Sequence, residues 1–273
     1  LPKKAKTPAE NELRMMLLKT MNPRFIKKHH GRFILIGMLY TLGSLSGFMF
    51  LIFLFLGSYT IINLGLSTRG ALLLNAFLSM IFFTQHSIMV RKGFKKRLRK
   101  FMPEIYHNAL YAIVSIFVLL VVLVFWQPSH LVVVKAEGFS FWFARGVFLL
   151  CLAGFFWAVK SLDSFDALGV NSLVDQNSGR SDDVQQITAR GPYRWSRHPI
   201  YLFAIIIIWA CPLLTLNKLV FNILWSVWIV IGAYLEDRDL HREFGDQYRE
   251  YSRRVPMLIP YKIFSSPYER IQS

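Results

Sequence analysis

"RHPIYLFAIIIIWACPLLTLNKLVFNILWSVWIVIGAYLEDRD" occupies residues 197–239, and its reading decides the fold. Two apolar runs, 200–215 and 218–235, hold a single charge, Lys218, at the start of the second. Runs of about 18 residues are long enough to cross the hydrocarbon core of a bilayer. The link between them, near 214–218, is only a few residues long. So short a link forces an antiparallel hairpin, with the start of the first run and the end of the second at one face. "RHPIY" (197–201) then stands beside "LEDRD" (235–239), cations and rings against carboxylates.

The pattern continues toward the N-terminus. Residues 33–56, "FILIGMLYTLGSLSGFMFLIFLFL", carry no charge, and further apolar runs cover 70–90, 108–126 and 140–159, the last with Arg145 alone. This predicts an all-α polytopic membrane protein with six spans. A hydrophobic content of 54% and a mean hydropathy of +0.38 are too apolar for an ordinary soluble domain. The net charge of +16 is unevenly placed. Nine Lys/Arg lie in 1–32, seven in 91–107, five in 160–199 and seven in 236–273, whereas 57–69 and 127–139 hold only Arg69 and Lys135. By the positive-inside rule both termini and the motif end are cytoplasmic. Topology and anionic headgroups account for the charge, so it is not read as a nucleic-acid footprint. The spans divide the chain into a basic arm (1–32), a four-helix membrane region (33–159) and a segment with the loop, hairpin and tail helix (160–273). The arm is too charged to read as a signal peptide, and "NELRMMLLKTM" (11–21) predicts an amphipathic surface helix. Gly43 and Gly47 form a weak GxxxG packing motif.

The cluster at the hairpin mouth has a definite chemistry. Pro199 suits the first turn of a helix, and the free N–H groups of that turn favour an anion. Arg194 and Arg197 are placed to grip a carboxylate. His198 and Tyr201, three apart, share a helix face. Glu236 and Asp237 offer acceptors to hydroxyls or an amine. Together they suit a zwitterion that carries an aromatic base and a ribose. The stretch 236–256 reads as a continuing helix in which Leu240, Phe244, Tyr248 and Tyr251 recur at helical spacing. Phe244 reads as packing, whereas the hydroxyls of Tyr248 and Tyr251 are within reach of a ligand. The loop 160–199 is long enough to be functional, and its centre, 175–183, is polar and irregular. His86 closes the second span, and the basic stretch 86–107 that it opens suits lipid contact or a share in a binding site. Cys151 and Cys211 read as buried free thiols, and no metal set is apparent.

"GPYRWSRHPIY" (191–201), the hairpin, the acidic pair and "FGDQYREYSRRVP" (244–256) resemble the isoprenylcysteine carboxyl methyltransferase superfamily of integral membrane enzymes. The resemblance covers roughly 185–260. It implies S-adenosylmethionine as cofactor, held by His198, Pro199, Ile200 and Tyr201, by Tyr193, by backbone near Gln185, Gln186, Ile187 and Thr188, and by Glu236. Asp237 stands where that family has a second glutamate. Gly232 stands where the carboxyl methyltransferases have a substrate-contacting arginine, which argues against a prenylcysteine carboxylate. Phe203 replaces a small residue. These three positions, Phe203, Gly232 and Asp237, are expected to shape the acceptor site.

Over most of 33–261 the chain is also similar to bacterial methanethiol S-methyltransferases, through "FFTQHSIMVRKGFKK" (82–96), "VFWQP" (124–128), "SFDALG" (164–169) and "RRVPMLIPY" (253–261). That resemblance implies methylation of a small hydrophobic thiol in a bacterial inner membrane. A thiol attacks as its thiolate, so His198, or a water held by Glu236, is expected to take the proton while Arg197 steadies the anion. Sterol reductases share an RHPxY-like element and bind NADPH, and NnrU-type membrane proteins share some of the other segments. A reductase, an accessory protein and a methyltransferase for another acceptor therefore stay open on the residues alone.

Overall fold

The computed structural model describes residues 23–57, 59–162, 168–174 and 189–264. The surface helix expected at 11–21, the loop centre 175–183 and the backbone stretch Gln185–Thr188 lie outside the described residues.

In chain order the elements are α1 (Pro23–Leu56), α2 (Thr68–Val90), α3 (Lys92–Leu98), α4 (His107–Phe125), β1 (Val132–Lys135), α5 (Gly138–Lys160), α6 (Asn171–Val174), α7 (Pro199–Trp209), β2 (Leu213–Thr215), α8 (Leu216–Phe244) and α9 (Asp246–Arg254). Five helices are long and apolar enough to cross a membrane: α1, α2, α4 with the turn before it, α5 and α8. The chain is an all-α polytopic membrane protein.

The count of six spans needs correction. The run 200–215 is not one span but the 11-residue helix α7 followed by a strand. At about 1.5 Å per residue α7 is about 16 Å long, roughly half of a hydrocarbon core of about 30 Å. Pro212 explains the early stop, because a proline disfavours the helical region for the residue before it. The chain leaves the helix at Ala210, and Leu213–Thr215 pairs antiparallel with Val132–Lys135. Ala136 N–H donates to Pro212 O (2.7 Å) and Leu216 N–H to Leu131 O (2.8 Å), fastening both ends of the ribbon.

The tail also departs from expectation. The helix read over 236–256 is broken at Gly245, whose φ of +56° and ψ of −125° belong to a region that glycine alone enters freely. The break lets α9 fold back on α8, and the two helices pack together.

The bundle packs α5 on α7, α4 against α1 and α2, α2 against α8, and α7 against α8. Its centre is aromatic. Trp225 of α8 stacks on Phe82 (5.1 Å between centroids) and Phe221 (4.7 Å). The indole N–H groups find hydroxyls on α2: Trp225 Nε1 donates to Ser79 Oγ (3.2 Å) and Trp228 Nε1 to Ser87 Oγ (3.1 Å). At the end away from the motif Gln127 is fully buried. Its backbone exchanges two 2.8 Å hydrogen bonds with the side chain of Asn75. Its own side chain accepts from Leu64 N–H and donates to Ile62 O and Phe125 O, each at 2.9 Å. Arg145 donates to Phe55 O and lies 4.0 Å above the Phe55 ring, so the one charge inside α5 is satisfied. Of the GxxxG pair only Gly43 is a close approach: a Cβ there would meet Leu168, whereas one at Gly47 would meet open space. Both cysteines are free, Cys151 buried and Cys211 only half-buried.

Phe203 has a clear packing role. A Cβ on Gly154 of α5 would sit 2.7 Å from its ring, so the ring of α7 fills the notch that this glycine leaves. Overpacking typically costs about 1–3 kcal/mol. Gly154→Ala is therefore expected to lower thermal stability in detergent, with Phe203→Leu restoring most of the loss. Equal melting temperatures for Gly154→Ala and the unaltered chain would contradict this contact.

Candidate active site

Pro199 opens α7 as its first residue, with His198 as the cap before it. The loop before the helix is not free to move. Arg197 N–H donates to Pro256 O and His198 N–H to Met257 O, both at 3.0 Å. Ser196 Oγ donates to Met257 O (3.1 Å) and Tyr251 Oη to Tyr193 O (2.6 Å). The segment 251–257 thus clamps the "YRWSRHP" loop through two backbone pairs and two side-chain hydroxyls.

Asp237 is the hub of the cluster and is 9% exposed. Tyr248 Oη donates to its Oδ1 (2.7 Å), His198 Nε2 lies 3.2 Å from the same oxygen, and Arg197 Nε lies 3.4 Å from it. His241 Nδ1 is 3.6 Å from Oδ2. The Arg197 approach is an ion pair without hydrogen-bond alignment, for its buried Nε has no hydrogen-bond partner. The guanidinium therefore stays in place while keeping donor capacity, and it lies 5.7 Å from the Tyr248 ring. One turn away, Tyr201 Oη donates to Glu236 Oε2 at 2.6 Å. Tyr193, Tyr248 and Tyr251 are held well above the ordinary phenol range, first by burial and then by neighbouring groups, among them the carboxylates Glu236 beside Tyr193 and Asp237 beside Tyr248.

Most of these groups, though not Asp237 or His241, wall a cavity of about 770 Å³, within the range of small-molecule sites. Tyr193, Arg197, His198, Ile200, Tyr201 and Glu236 all line it. Phe244, read as packing, lines it too, while the hydroxyls of Tyr248 and Tyr251 are spent on Asp237 and Tyr193 rather than pointing at a ligand. Arg194 is exposed, its Nε 3.4 Å from Ala189 O, and is not part of the wall. The three positions expected to shape the acceptor site fall in different places. Asp237 is a buried tie inside the protein, Phe203 packs on Gly154, and Gly232 lines a separate cavity of about 350 Å³. Sequence reading gave His86 no role in the chemistry, yet it lines both cavities. Its signal, a lone histidine at the end of an apolar run, is too common to single out.

The cavity fits a cofactor of the expected kind. A buried cation with unspent donors sits at the N-terminus of α7, where free N–H groups favour an anion. Aromatic rings line the same cavity, and the Glu236 carboxylate lines it too, hydrogen-bonded to Tyr201. Among the described residues no three His, Cys, Asp or Glu side chains gather in a group that could hold a metal ion.

The arrangement is that of a membrane methyltransferase, and comparison with known proteins agrees. The phospholipid methyltransferase family matches residues 142–247, which contain α7, α8 and most of α5. "Methanethiol S-methyltransferase 2" of Bradyrhizobium diazoefficiens is 32% identical over 76% of this chain and 82% of its own length. The methanethiol S-methyltransferase of Pseudomonas deceptionensis is 34% identical over 72% of this chain and 75% of its own, and that of Mycobacterium tuberculosis 32% over 70% and 79%. No solved structure matches significantly. The chain belongs to the methanethiol S-methyltransferase family of integral membrane proteins.

Proposed function

We propose that the protein transfers a methyl group from S-adenosylmethionine to methanethiol, giving dimethyl sulfide and S-adenosylhomocysteine, at the cytoplasmic end of the bundle. The observation that carries this reading is the single cavity in which the Arg197 cation, the N-terminus of α7 and the tyrosine wall meet Glu236. The family relationship supplies the acceptor, and the clustering of Lys and Arg on the motif side supports its orientation. When bound, S-adenosylmethionine supplies a methyl group activated by a positively charged sulfur.

The residues of this chain have separable tasks in that reading. Arg197 and the first turn of α7 hold the carboxylate of the amino-acid end. His198 and Tyr193 pack beside it, with Pro199 and Ile200 setting the helix start. Glu236, oriented by Tyr201, takes hydrogen bonds from hydroxyl or ammonium groups. The stretch Gln185–Thr188 is assigned to the same cofactor by resemblance. Asp237 moves from an acceptor contact to a positioning residue, since it fixes both Arg197 and His198. Gly232 remains an acceptor-side position. Much of the rate enhancement comes from alignment: holding the reacting atoms in line contributes on the order of 7–11 kcal/mol in favourable cases.

Calorimetric titration with S-adenosylmethionine tests the assignment. The unaltered protein is expected to bind one equivalent, and His198→Ala to bind at least tenfold more weakly. Unchanged affinity in that variant would remove His198 from the site, and no binding by the unaltered protein would favour the NADPH-reductase or accessory reading.

A further inference from the structure

The second cavity shares His86, Val90, Tyr201, Glu236 and Leu240 with the first. The two therefore meet at a common wall, and His86 stands in it. The remainder of the second cavity is largely apolar: Trp228, Ile229, Ile231 and Leu235 of α8 line it, and Gly232 leaves room, since a Cβ there would meet nothing within 4 Å. Two cations reach its rim, and both are engaged. Arg91 is 3.6 Å from Asp239 and Lys92 is 3.1 Å from Glu243. This is a chamber for a small uncharged molecule beside the cofactor cavity.

A neutral thiol placed there has to lose its proton before it attacks. Of the groups first expected to take it, His198 lines the first cavity but not this chamber, and Glu236 accepts from Tyr201. His86 is placed differently. Tyr111 Oη of α4 lies 2.7 Å from its Nε2 and 3.1 Å from Nδ1. The Trp228 ring stands edge-on at 5.2 Å and Phe82 lies 5.4 Å away. The other titratable groups on the walls of the two cavities are Tyr201 and Glu236, shared by both, Tyr193, Arg197, His198, Tyr248 and Tyr251 in the first, and the paired charges Arg91, Lys92, Asp239 and Glu243 in the second. With Tyr111 Oη accepting from the ring N–H, the other nitrogen holds the lone pair that takes a proton.

We propose that His86 is the general base that takes the acceptor's proton, at the wall between the two cavities. This rests on the methyl-transfer reading above. The S–H bond breaks and its proton joins a ring nitrogen of His86. The sulfur's electron pair forms the bond to the methyl carbon. The bond from that carbon to the cofactor sulfur breaks, its pair staying on that sulfur, and the imidazolium returns its proton to water. Histidine is the side chain most often used as a general base.

The test compares purified unaltered protein with His86→Gln, using methanethiol and trifluoroethanethiol, a more acidic thiol, across pH 6–10. Cofactor affinity is followed in parallel by calorimetry. Loss of a general base costs about 10²–10⁴-fold. His86→Gln is expected to lose about 100-fold in kcat/KM for methanethiol at neutral pH, to regain activity as pH rises and the thiol ionises unaided, and to methylate the acidic thiol nearly as well as the unaltered protein. Its cofactor affinity is expected to stay unchanged. Tyr111→Phe, which keeps the ring of His86 and removes the phenol that orients it, is expected to show the same selective loss on a smaller scale. This second variant keeps the test decisive if His86→Gln fails to fold. An equal loss for both thiols at every pH, or no loss at all, would overturn the proposal while leaving the methyl-transfer reading intact. An unaltered protein that makes neither product overturns the methyl-transfer reading itself, and this proposal with it.

Discussion

Asp237→Ala is expected to abolish turnover and to cost the fold several kcal/mol. The carboxylate sits among Arg197, His198, Tyr248 and His241, and the Arg197 and Asp237 side chains are only 10% and 12% exposed. Removing one partner of a buried ion pair leaves an uncompensated charge and typically costs about 3–5 kcal/mol. The same change frees the ring of His198 and the phenol of Tyr248, both of which line the larger cavity. A displacement of about 1 Å at such groups can cost 100-fold in rate. Asp237→Asn separates the two effects. It keeps the size and an acceptor for Tyr248 but discards the charge, so it is expected to fold better than the alanine variant and still bind S-adenosylmethionine poorly. The checks are thermal unfolding in detergent and calorimetry. An Asp237→Asn protein with unaltered cofactor affinity would show that the charge does not hold Arg197 in place.

The second large effect lies at the other end of the bundle. Gln127→Leu is expected to lower stability by about 3 kcal/mol or more without touching the site chemistry. The Gln127 side chain satisfies Leu64 N–H, Ile62 O and Phe125 O, ordering the link from α1 to α2 against the end of α4. Each buried polar group left without a partner costs about 1–3 kcal/mol. The bonds to Asn75 run through the Gln127 backbone and survive the change. The variant should therefore melt early yet, at low temperature, bind cofactor normally. A melting temperature equal to that of the unaltered protein would contradict the role assigned to this side chain.

The helical hairpin was legible because link length is a local property. A few residues between two apolar runs leave one topology, and that topology brought His198 and Tyr201 to Asp237 and Glu236. The short reach of α7 was not legible from hydropathy, because 200–215 is apolar throughout. What ends the helix is Pro212 together with a strand partner some eighty positions earlier in the chain. Pro212 was the available warning. The hub at Asp237 was hidden for a similar reason. Tyr248 reaches it only because Gly245 breaks what the periodicity presents as one helix. Phe203 was legible as a departure from the family pattern, but its partner Gly154 sits on another helix, and only the packing of α5 on α7 joins them.

The most direct measurement of the central claim supplies S-adenosylmethionine and methanethiol to the purified protein in detergent. Dimethyl sulfide is followed in the headspace and S-adenosylhomocysteine in solution. Both products are expected in equal amounts. S-adenosylhomocysteine without dimethyl sulfide would contradict the acceptor, and the absence of both would contradict methyl transfer.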